Sequence, residues 1–287
     1  MSKVIVITGT SQGFGKLTAK ALALQGNQVI ATMRDISIKN AEKAKELDAI
    51  ENIEVVELDV TNTASIKSAI DRVYAKYGRI DVWVNNAGVM GVGLMEATSI
   101  ERMRSMFEIN LWGTIQCTQA VLPIMRKQKS GLIINLTSGL GIIGAPFTAP
   151  YAAAKFAVEG FTESFRYEVK DFGIETVTVQ PGAFPTSLAS SGEYNADLFV
   201  INEEYGLQAQ NKLKEFGENL YAKQTEFEMN PQEVAVAVKR LVEMDPGTRP
   251  HFTSVNRVTG NVEQEILDKK TLTNTEWMTR MGWGNLT

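Results

Sequence analysis

The chain has 287 residues, of which 44% are hydrophobic and 22% are charged, and its formal net charge at pH 7 is −4. These proportions are ordinary for a soluble globular protein, and the length fits one large α/β domain or two small ones. Because the net charge is slightly negative, the chain has no basic field that would attract nucleic acid or anionic lipid. We therefore expect neither a nucleic acid nor a membrane as a partner.

The cellular setting follows from what the sequence lacks. No apolar run approaches the ~20 residues of a membrane span. The first residues lead directly into a strand pattern and are too short for a signal peptide. The single cysteine, Cys117, cannot form an internal disulfide and lies in a helical pattern, as a small core residue would. These features predict a cytoplasmic protein.

The single histidine, His251, limits the chemistry that the chain can perform. A Ser-His-Asp triad would have to use this residue, which is far in sequence from any Gly-flanked serine. A His-rich metal site is impossible with one histidine. We expect His251 to be structural, and we expect no metal site.

The first strand pattern, residues 4–7, ends in a glycine-rich turn that leads into a helical pattern at 16–25. Gly9, Gly13 and Gly15 have the spacing G-x-x-x-G-x-G, which differs from the G-x-G-x-x-G of standard dinucleotide dehydrogenases. In the order strand, turn, helix, such glycines let a phosphate approach the backbone N–H groups at a helix N-terminus. The turn therefore predicts a phosphate site.

Strand and helix patterns then alternate along the chain. Strands are predicted at residues 28–32, 53–58, 80–84, 132–136 and 175–179, and helices at 38–47, 64–77, 100–109, 111–127 and 151–171. This alternation predicts an α/β fold, a single Rossmann-like doubly wound parallel sheet with helices on both faces. Polar residues that follow the strands should meet at one edge of the sheet, where ligands bind. Asp59 and Val60 follow the third strand, where an adenine would fit.

Tyr151 and Lys155 lie four residues apart at the start of the long predicted helix 151–171, so their side chains should share one face. Pro150 before them suits a first helical turn. A cation close to a phenol favours the phenolate and lowers the phenol pKa, as proton transfer near neutral pH requires. Ser138 follows the strand at 132–136, and its hydroxyl could turn towards the same point.

We interpret residues 1–287 as a single domain with two additions. Residues 187–227 are polar with interspersed aromatic residues, and we predict a helical insertion that forms a lid on the substrate pocket. An amphipathic helix is predicted at 231–244 and a last strand at 252–255. Residues 259–287 are interpreted as a C-terminal tail.

Over roughly the first 190 residues, the motifs and their order along the chain resemble those of the classical short-chain dehydrogenase/reductase family. Residues 8–15 are similar to its cofactor loop, residues 85–88 (Asn-Asn-Ala-Gly) to its NNAG segment, and Pro181, Gly182 and Thr186 to the segment that passes the nicotinamide. The residues that match its catalytic tetrad are Asn110, Ser138, Tyr151 and Lys155.

The resemblance implies hydride transfer between a nicotinamide and a carbonyl or alcohol. Tyr151 would be the general acid in reduction and the base in oxidation, with its pKa lowered by Lys155, which would also hold the nicotinamide ribose. Ser138 would bond the substrate oxygen, and Asn110 would hold a water that connects Lys155 to solvent. The residues implied in cofactor binding are Gly9, Ser11, Gln12, Gly13, Phe14, Gly15, Arg34, Asp59, Val60, Asn86, Ala87, Gly88, Tyr151, Lys155, Pro181, Gly182 and Thr186.

The cofactor predicted from the resemblance is NADP(H). NAD-dependent members usually carry a carboxylate at the end of the second strand, where it bonds the ribose 2′-OH and would repel a 2′-phosphate. Here that position is predicted to be Met33, and Arg34 follows with a guanidinium that suits phosphate. Asp35 is the alternative, because a shift of two residues would place its carboxylate at the ribose.

Other hypotheses about the function remain open at this point. A non-catalytic NADPH-binding redox sensor would usually lack the Tyr or the Lys, and an epimerase or dehydratase of the extended branch would usually have G-x-x-G-x-x-G. The phrase at residues 29–35 is similar to the steroid and retinol branch, which suggests a bulky, apolar carbonyl or alcohol substrate. Relatives in the family are usually homodimers or homotetramers, and the helices that start at Leu111 and Tyr151 would form the interface.

Overall fold

The computed structural model describes residues 2–260 and 262–286. Residues 1, 261 and 287, which belong to the predicted domain and its tail, lie outside the described residues. The strands are β1 Val4–Ile7, β2 Gln28–Met33, β3 Ile53–Glu57, β4 Val82–Asn85, β5 Gly131–Leu136, β6 Ile174–Pro181 and β7 Phe252–Val255. They form one parallel sheet in the order β3-β2-β1-β4-β5-β6-β7.

Helices connect consecutive strands, as right-handed βαβ crossovers require. The α-helices are α1 Gly13–Ala23, α2 Ala41–Asp48, α3 Thr63–Tyr77, α4 Ile100–Phe107, α5 Gly113–Gln128, α6 Ala149–Val169, α7 Ser187–Ser190, α8 Phe199–Glu204, α9 Gly206–Glu226, α10 Gln232–Glu243 and α11 Val262–Arg280. A π-helical turn, Glu108–Trp112, joins α4 to α5.

The two faces of the sheet carry separate hydrophobic cores. Ile5 and Ile7 of β1 point to the core that is covered by α1, α2 and α10. Val4 and Val6, on the other face, pack with side chains of α3, α5 and α6. Both sets are buried because a parallel strand in the middle of such a sheet has helices on each side. The predicted doubly wound α/β fold is therefore confirmed.

The predicted boundaries hold within a few residues, with one informative difference. The second helix was expected from residue 38 but begins at Ala41. Asp35 has a φ of 54°, and the Asn40 side chain donates a hydrogen bond to the Arg34 carbonyl at 2.7 Å. This turn after β2 delays the helix.

Most of the segment at 259–287, interpreted above as a C-terminal tail, forms α11, a helix of 19 residues that the sequence patterns did not predict. It packs against β7 and α6. Lys270 forms an ion pair with Glu163 of α6 at 2.6 Å, and the Asn274 amide donates to the same carboxylate at 2.7 Å. Only two apolar residues of α11, Leu267 and Met278, are buried. The helix therefore lacks the continuous apolar stripe by which a sequence pattern is recognised.

Cys117 is fully buried in the core between the sheet and α5, as predicted. Among the described residues, no helix is both long enough and apolar enough to cross a membrane.

His251 precedes β7 and is half-buried beside Arg166 of α6. Burial, with the nearby Arg166 charge, lowers the pKa of His251 to about 4, while Glu163 acts in the opposite direction. The unfolded chain binds a proton on this histidine below its ordinary pKa of about 6.5. Since the folded chain does not bind that proton until about pH 4, the stability that this difference provides is present above pH 6.5 and is lost towards pH 4.

We predict that the imidazole signals of the single histidine titrate in the folded protein with a midpoint near pH 4. Proton NMR from pH 3.5 to 8 measures this directly, because only His251 contributes. The variant His251→Gln removes this titrating group and should lose less stability between pH 6.5 and pH 4.5 than the wild type. A midpoint close to 6.5, or equal acid sensitivity of the two proteins, would contradict the prediction.

Candidate active site at the carboxyl edge of the sheet

The loops that follow β1 and β4 are joined by hydrogen bonds. The Asn86 side chain donates through Nδ2 to the Thr8 carbonyl at 2.7 Å and to the Gly9 carbonyl at 2.9 Å. In return, the Thr8 hydroxyl accepts from the backbone N–H groups of Asn86 and Ala87, each at 3.0 Å. Two neighbouring strand ends are thereby held in one arrangement.

Glycine makes this close approach possible. A Cβ atom at Gly9 would lie 2.7 Å from Ala87 Cα, and one at Gly15 would lie 2.4 Å from Asn86 Nδ2. Gly13 has a φ of 57° and begins α1, whose first turn has no side-chain cap and no acidic residue. The free N–H groups of this helix end can donate hydrogen bonds to a phosphate, so the loop fits the predicted role.

A cleft of about 400 Å³ lies above this loop. Twelve of the residues predicted to bind cofactor line the cleft: Gly9, Ser11, Gln12, Gly13, Phe14, Arg34, Asp59, Val60, Asn86, Ala87, Gly88 and Thr186. Gly15 lies beneath the cleft, against Asn86. The remaining predicted residues, Tyr151, Lys155, Pro181 and Gly182, line an adjoining cavity of about 330 Å³.

The cleft is basic at the end of β2. Arg34, Lys39 and Lys43 all line it there, whereas Asp35 is not among its lining residues. Sequence reasoning selected Arg34 but missed the two lysines, although they lie four residues apart, as residues on one helical face do. These three cations favour an anionic group at this end of the cleft.

Tyr151, Lys155 and Ser138 line the adjoining cavity, and Gly88, which lines both the cleft and the cavity, lies close to Lys155. Lys155 is only 5% exposed; its Nζ donates to the Leu136 carbonyl at 3.0 Å and lies 5.8 Å from the centre of the Tyr151 ring. The side chain of Ser138 interacts with the Tyr151 phenol. Pro150 occupies the first turn of α6, as its ring geometry favours.

The expected lowering of the Tyr151 pKa by Lys155 does not occur, because the burial of the phenol has the larger effect. Burial raises the pKa of Tyr151 to about 12, and the hydrogen bond with Ser138 only partly opposes this effect. Burial also lowers the pKa of Lys155 to about 8, while the Glu159 carboxylate raises it. The expectation that a nearby cation lowers the phenol pKa considered only the distance between the two groups. Both groups are buried, and burial disfavours the charged form of each.

Asn110 lies in the π-helical turn and is 1% exposed. Its side-chain Oδ1 accepts from the Val89 N–H at 2.9 Å, and its Nδ2 donates to the Val89 carbonyl at 2.8 Å. A Cβ atom at Gly88 would lie 3.0 Å from Asn110 Oδ1 and 3.6 Å from Lys155 Nζ. Asn110 is thus within reach of the site, and its amide holds the loop after β4 in place.

Glu159 is a site residue that sequence reasoning missed. It lies four residues after Lys155 on α6 and is 3% exposed. Its carboxylate accepts hydrogen bonds from Thr178 at 3.0 Å, from Gln180 at 2.8 Å and from Thr137. Burial raises the pKa of Glu159, and these donors lower it. The repeated spacing of four residues from Tyr151 through Lys155 to Glu159 was the available signal.

The adjoining cavity has a largely apolar lining. Met90, Leu140, Ile143 and Leu188 contribute to it, and Phe216 and Leu220 of α9 form one wall. The insertion that carries α9 is anchored on the loop after β4. Asp197 accepts hydrogen bonds from the Ser99 N–H at 2.8 Å and from the Ser99 hydroxyl at 2.7 Å, and the Ala196 N–H donates to the Val92 carbonyl at 3.2 Å.

A family model described as short chain dehydrogenase matches residues 3–198. The chain belongs to the short-chain dehydrogenase family. A curated relative named 3-ketodihydrosphingosine reductase, from Bacteroides thetaiotaomicron, is 34% identical over 240 residues, which are 84% of this chain and 83% of the relative. This short-chain dehydrogenase is therefore an oxidoreductase by family.

Solved structures of the family share the fold of this short-chain dehydrogenase. A short-chain dehydrogenase from Streptomyces avermitilis has a TM-score of 0.77 at 30% identity, with 98% of each chain covered. An alcohol dehydrogenase from the archaeon Thermococcus sibiricus, complexed with 5-hydroxy-NADP, has a TM-score of 0.69 at 26% identity, with 89% of this chain and 96% of that chain covered.

We predict that the variant Gly15→Ala is less stable than the wild type by roughly 1–3 kcal/mol. Helix propensity alone favours alanine by ~1 kcal/mol, but the new Cβ would press on the Asn86 amide and disrupt the hydrogen bonds that join the loops after β1 and β4. Equilibrium unfolding in urea measures the change.

The matched control for this prediction is Gly217→Ala in α9, where a Cβ atom meets nothing within 4 Å. This exchange should stabilise the protein by up to ~1 kcal/mol. If both exchanges change the stability in the same direction, the close approach of Gly15 to Asn86 does not limit residue 15.

Proposed function

We propose that this short-chain dehydrogenase is an NADP(H)-dependent reductase of ketones or aldehydes, working in reverse on secondary alcohols. The observation that carries the proposal is the junction of two unlike cavities. One is lined by the glycine-rich turn and by polar side chains, and the other is largely apolar and contains Tyr151, Ser138 and Lys155. The two adjoin at shared lining residues, among them Asn86, Gly88 and Thr186. When bound, NADP(H) supplies or accepts the hydride, and the protein supplies the proton.

Tyr151 is the proposed proton donor in reduction. Because burial keeps the pKa of its phenol at about 12, Tyr151 holds its proton at neutral pH. The developing alkoxide of a carbonyl substrate is a stronger base than a phenolate, so it can take that proton. The Ser138 hydroxyl, beside the phenol, is proposed to hold the substrate oxygen in position.

Lys155 is proposed to stabilise the phenolate that Tyr151 leaves behind and to hold the nicotinamide ribose. Its ammonium is close to the phenol and has little access to water, so its charge is poorly screened. Its low exposure also requires a nearby negative charge, which Glu159 supplies. Asn110 is proposed to keep the loop after β4 in the position that a cofactor requires.

The preference for NADP(H) is proposed from the three cations at the end of β2. The complex of the Thermococcus sibiricus relative with 5-hydroxy-NADP supports this choice. The name of the Bacteroides thetaiotaomicron relative, a reductase of 3-ketodihydrosphingosine, supports reduction of a ketone. The apolar lining of the second cavity supports a substrate with a substantial apolar part.

Two structural expectations belong to the same proposal. The insertion at 187–227 is proposed to close on the substrate, because α9 forms a wall of the cavity while residues 195–197 anchor it.

Assembly into a homodimer or homotetramer is proposed because Trp112 and Phe156, near or on the helices expected at the interface, are 48% and 45% exposed.

We predict that Tyr151→Phe lowers kcat for ketone reduction by ~10²–10⁴-fold, because it removes only the proton donor. Loss of NADPH absorbance with a panel of ketones measures the rate, and quenching of protein fluorescence by NADPH verifies that the cofactor still binds. Tyr74→Phe on α3 is the matched control and should retain wild-type turnover. Near-normal turnover of Tyr151→Phe would refute the assignment of the proton donor.

We predict that the wild type prefers NADPH to NADH in kcat/KM, and that Arg34→Ala lowers the NADPH value by roughly 10-fold or more. The NADH value should change little, because the lost guanidinium interacts with the 2′-phosphate alone. Adding Lys43→Ala should reduce the preference further. Steady-state kinetics with both cofactors measure the ratio.

Lys45→Ala is the control for the cofactor prediction, since Lys45 is exposed on α2 but does not line the cleft. It should leave the ratio unchanged. A wild type that favours NADH, or an Arg34→Ala variant with the wild-type ratio, would overturn the proposed cofactor.

A further inference from the structure

A buried carboxylate lies in the apolar cavity, and the proposed proton transfer does not use it. Glu263, in the first turn of α11, lines this cavity together with Tyr151 and Ser138 and is 5% exposed. It belongs to the segment that sequence reasoning interpreted as a tail. The location is unusual because a charged group is rarely placed in an apolar cavity unless it is paired.

The described residues supply neutral donors to this carboxylate but no cation. The Asn256 amide donates to Glu263 Oε1 at 2.7 Å, and the Thr259 hydroxyl donates to Oε2. Of the ion pairs formed by residues 2–260 and 262–286, none includes Glu263. The charge that acts on Lys155 comes from Glu159 instead. Each oxygen of Glu263 can therefore accept a further hydrogen bond from a ligand.

Two glycines determine what Glu263 can reach. A Cβ atom at Gly182 would lie 2.2 Å from the Asn256 side chain, so glycine there allows Asn256 to approach Glu263. A Cβ atom at Gly139 would lie 3.3 Å from Glu263 Oε1, so a side chain at that position would crowd the carboxylate. Gly139 has no positive φ that would require glycine. Because Gly139 has no side chain, the Glu263 carboxylate is left open to the cavity beside Ser138, which precedes Gly139 in the sequence.

We propose that Glu263 selects a carbonyl substrate that carries a protonated amino group near the carbonyl and an apolar body beyond it. The proposal rests on the carbonyl reductase function above, because Ser138 and Tyr151 define where the carbonyl lies. The ammonium provides a counter-charge to Glu263 that none of the described residues supplies through an ion pair. The apolar body occupies the part of the cavity lined by Ile143, Phe216 and Leu220.

Binding is the first measurement, because it does not require turnover. The probes are an α-amino ketone and a β-amino ketone, each with an octyl chain on the other side of the carbonyl. Each is paired with a neutral ketone in which a methyl group replaces the ammonium group. By calorimetry, we expect the wild type to bind at least one amino ketone roughly 10-fold or more tightly than its neutral partner, as a charge-assisted hydrogen bond gives.

Two variants connect this preference to the carboxylate. Glu263→Gln keeps the shape and an acceptor for Asn256 but removes the charge, and the preference should fall to about one. Gly139→Ala keeps the charge of Glu263 but covers the carboxylate with a methyl group, so the preference for the amino ketone should also fall. If Glu263 had only a structural role, Gly139→Ala would not change this preference. Glu265→Gln, an exposed residue of the same helix, removes the same charge outside the cavity and should keep the wild-type preference. Thermal unfolding verifies that each variant is folded.

The outcomes separate this inference from the proposed function. Equal binding of amino and neutral ketones by the wild type overturns the inference, and so does a Glu263→Gln protein that keeps the preference. NADPH oxidation with the same four ketones tests the function. If no ketone is reduced while the binding preference and its loss in Glu263→Gln are observed, the reductase function fails and the role of Glu263 in recognising an ammonium stands.

Discussion

The burial of the Lys155 ammonium is the constraint on which most of the site depends. An ammonium shielded from water needs oxygen acceptors and a negative charge, and it finds them in the Leu136 carbonyl and the Glu159 carboxylate. Glu159 needs hydrogen-bond donors in turn. Thr178 and Gln180 of β6 provide two of them. The first half of α6 is therefore fixed against the ends of two strands.

This arrangement determines where Tyr151 lies. One turn before Lys155, its ring can only face the same strand ends, beside Ser138, which follows β5. Burial then raises the pKa of the phenol and lowers that of the ammonium. The same exclusion of water that keeps the phenol protonated also leaves the nearby ammonium charge poorly screened, so a charge that develops between them would be strongly stabilised.

The two cavities that meet at this point are built by different parts of the chain. The cleft beside the glycine-rich turn is formed mainly by the ends of β1, β2, β3 and β4, and glycines allow the loops after β1 and β4 to lie in contact. The apolar cavity is closed by the insertion with α9 and by α11, which pack against the sheet edge with few buried residues. Under the proposed function, the loops of the sheet would bind the nucleotide, whereas the insertion and α11 would select the substrate.

Local sequence patterns were sufficient to predict the sheet, the glycine-rich turn and the shared helical face of Tyr151 and Lys155. Each of these depends on residues that are adjacent in sequence or one helical turn apart, and the order of strands and helices then leaves few topologies. The patterns also placed Arg34 at the end of the second strand, although they missed Lys39 and Lys43 on the same cleft. They failed for α11, because this helix buries only two apolar residues, Leu267 and Met278, and therefore shows no continuous apolar stripe.

The order of the residues was enough to predict a doubly wound α/β chain with a glycine-rich turn and a phenol beside a cation. The pKa values of that pair depend on the folded structure, because burial, which residue spacing does not reveal, has the largest effect on both. The tertiary structure also decided that Glu159 supports Lys155 and that Glu263 lies open beside Gly139. The contacts of Glu159 and Glu263 join residues that are distant in the chain, and their energies depend on which groups exclude water from them.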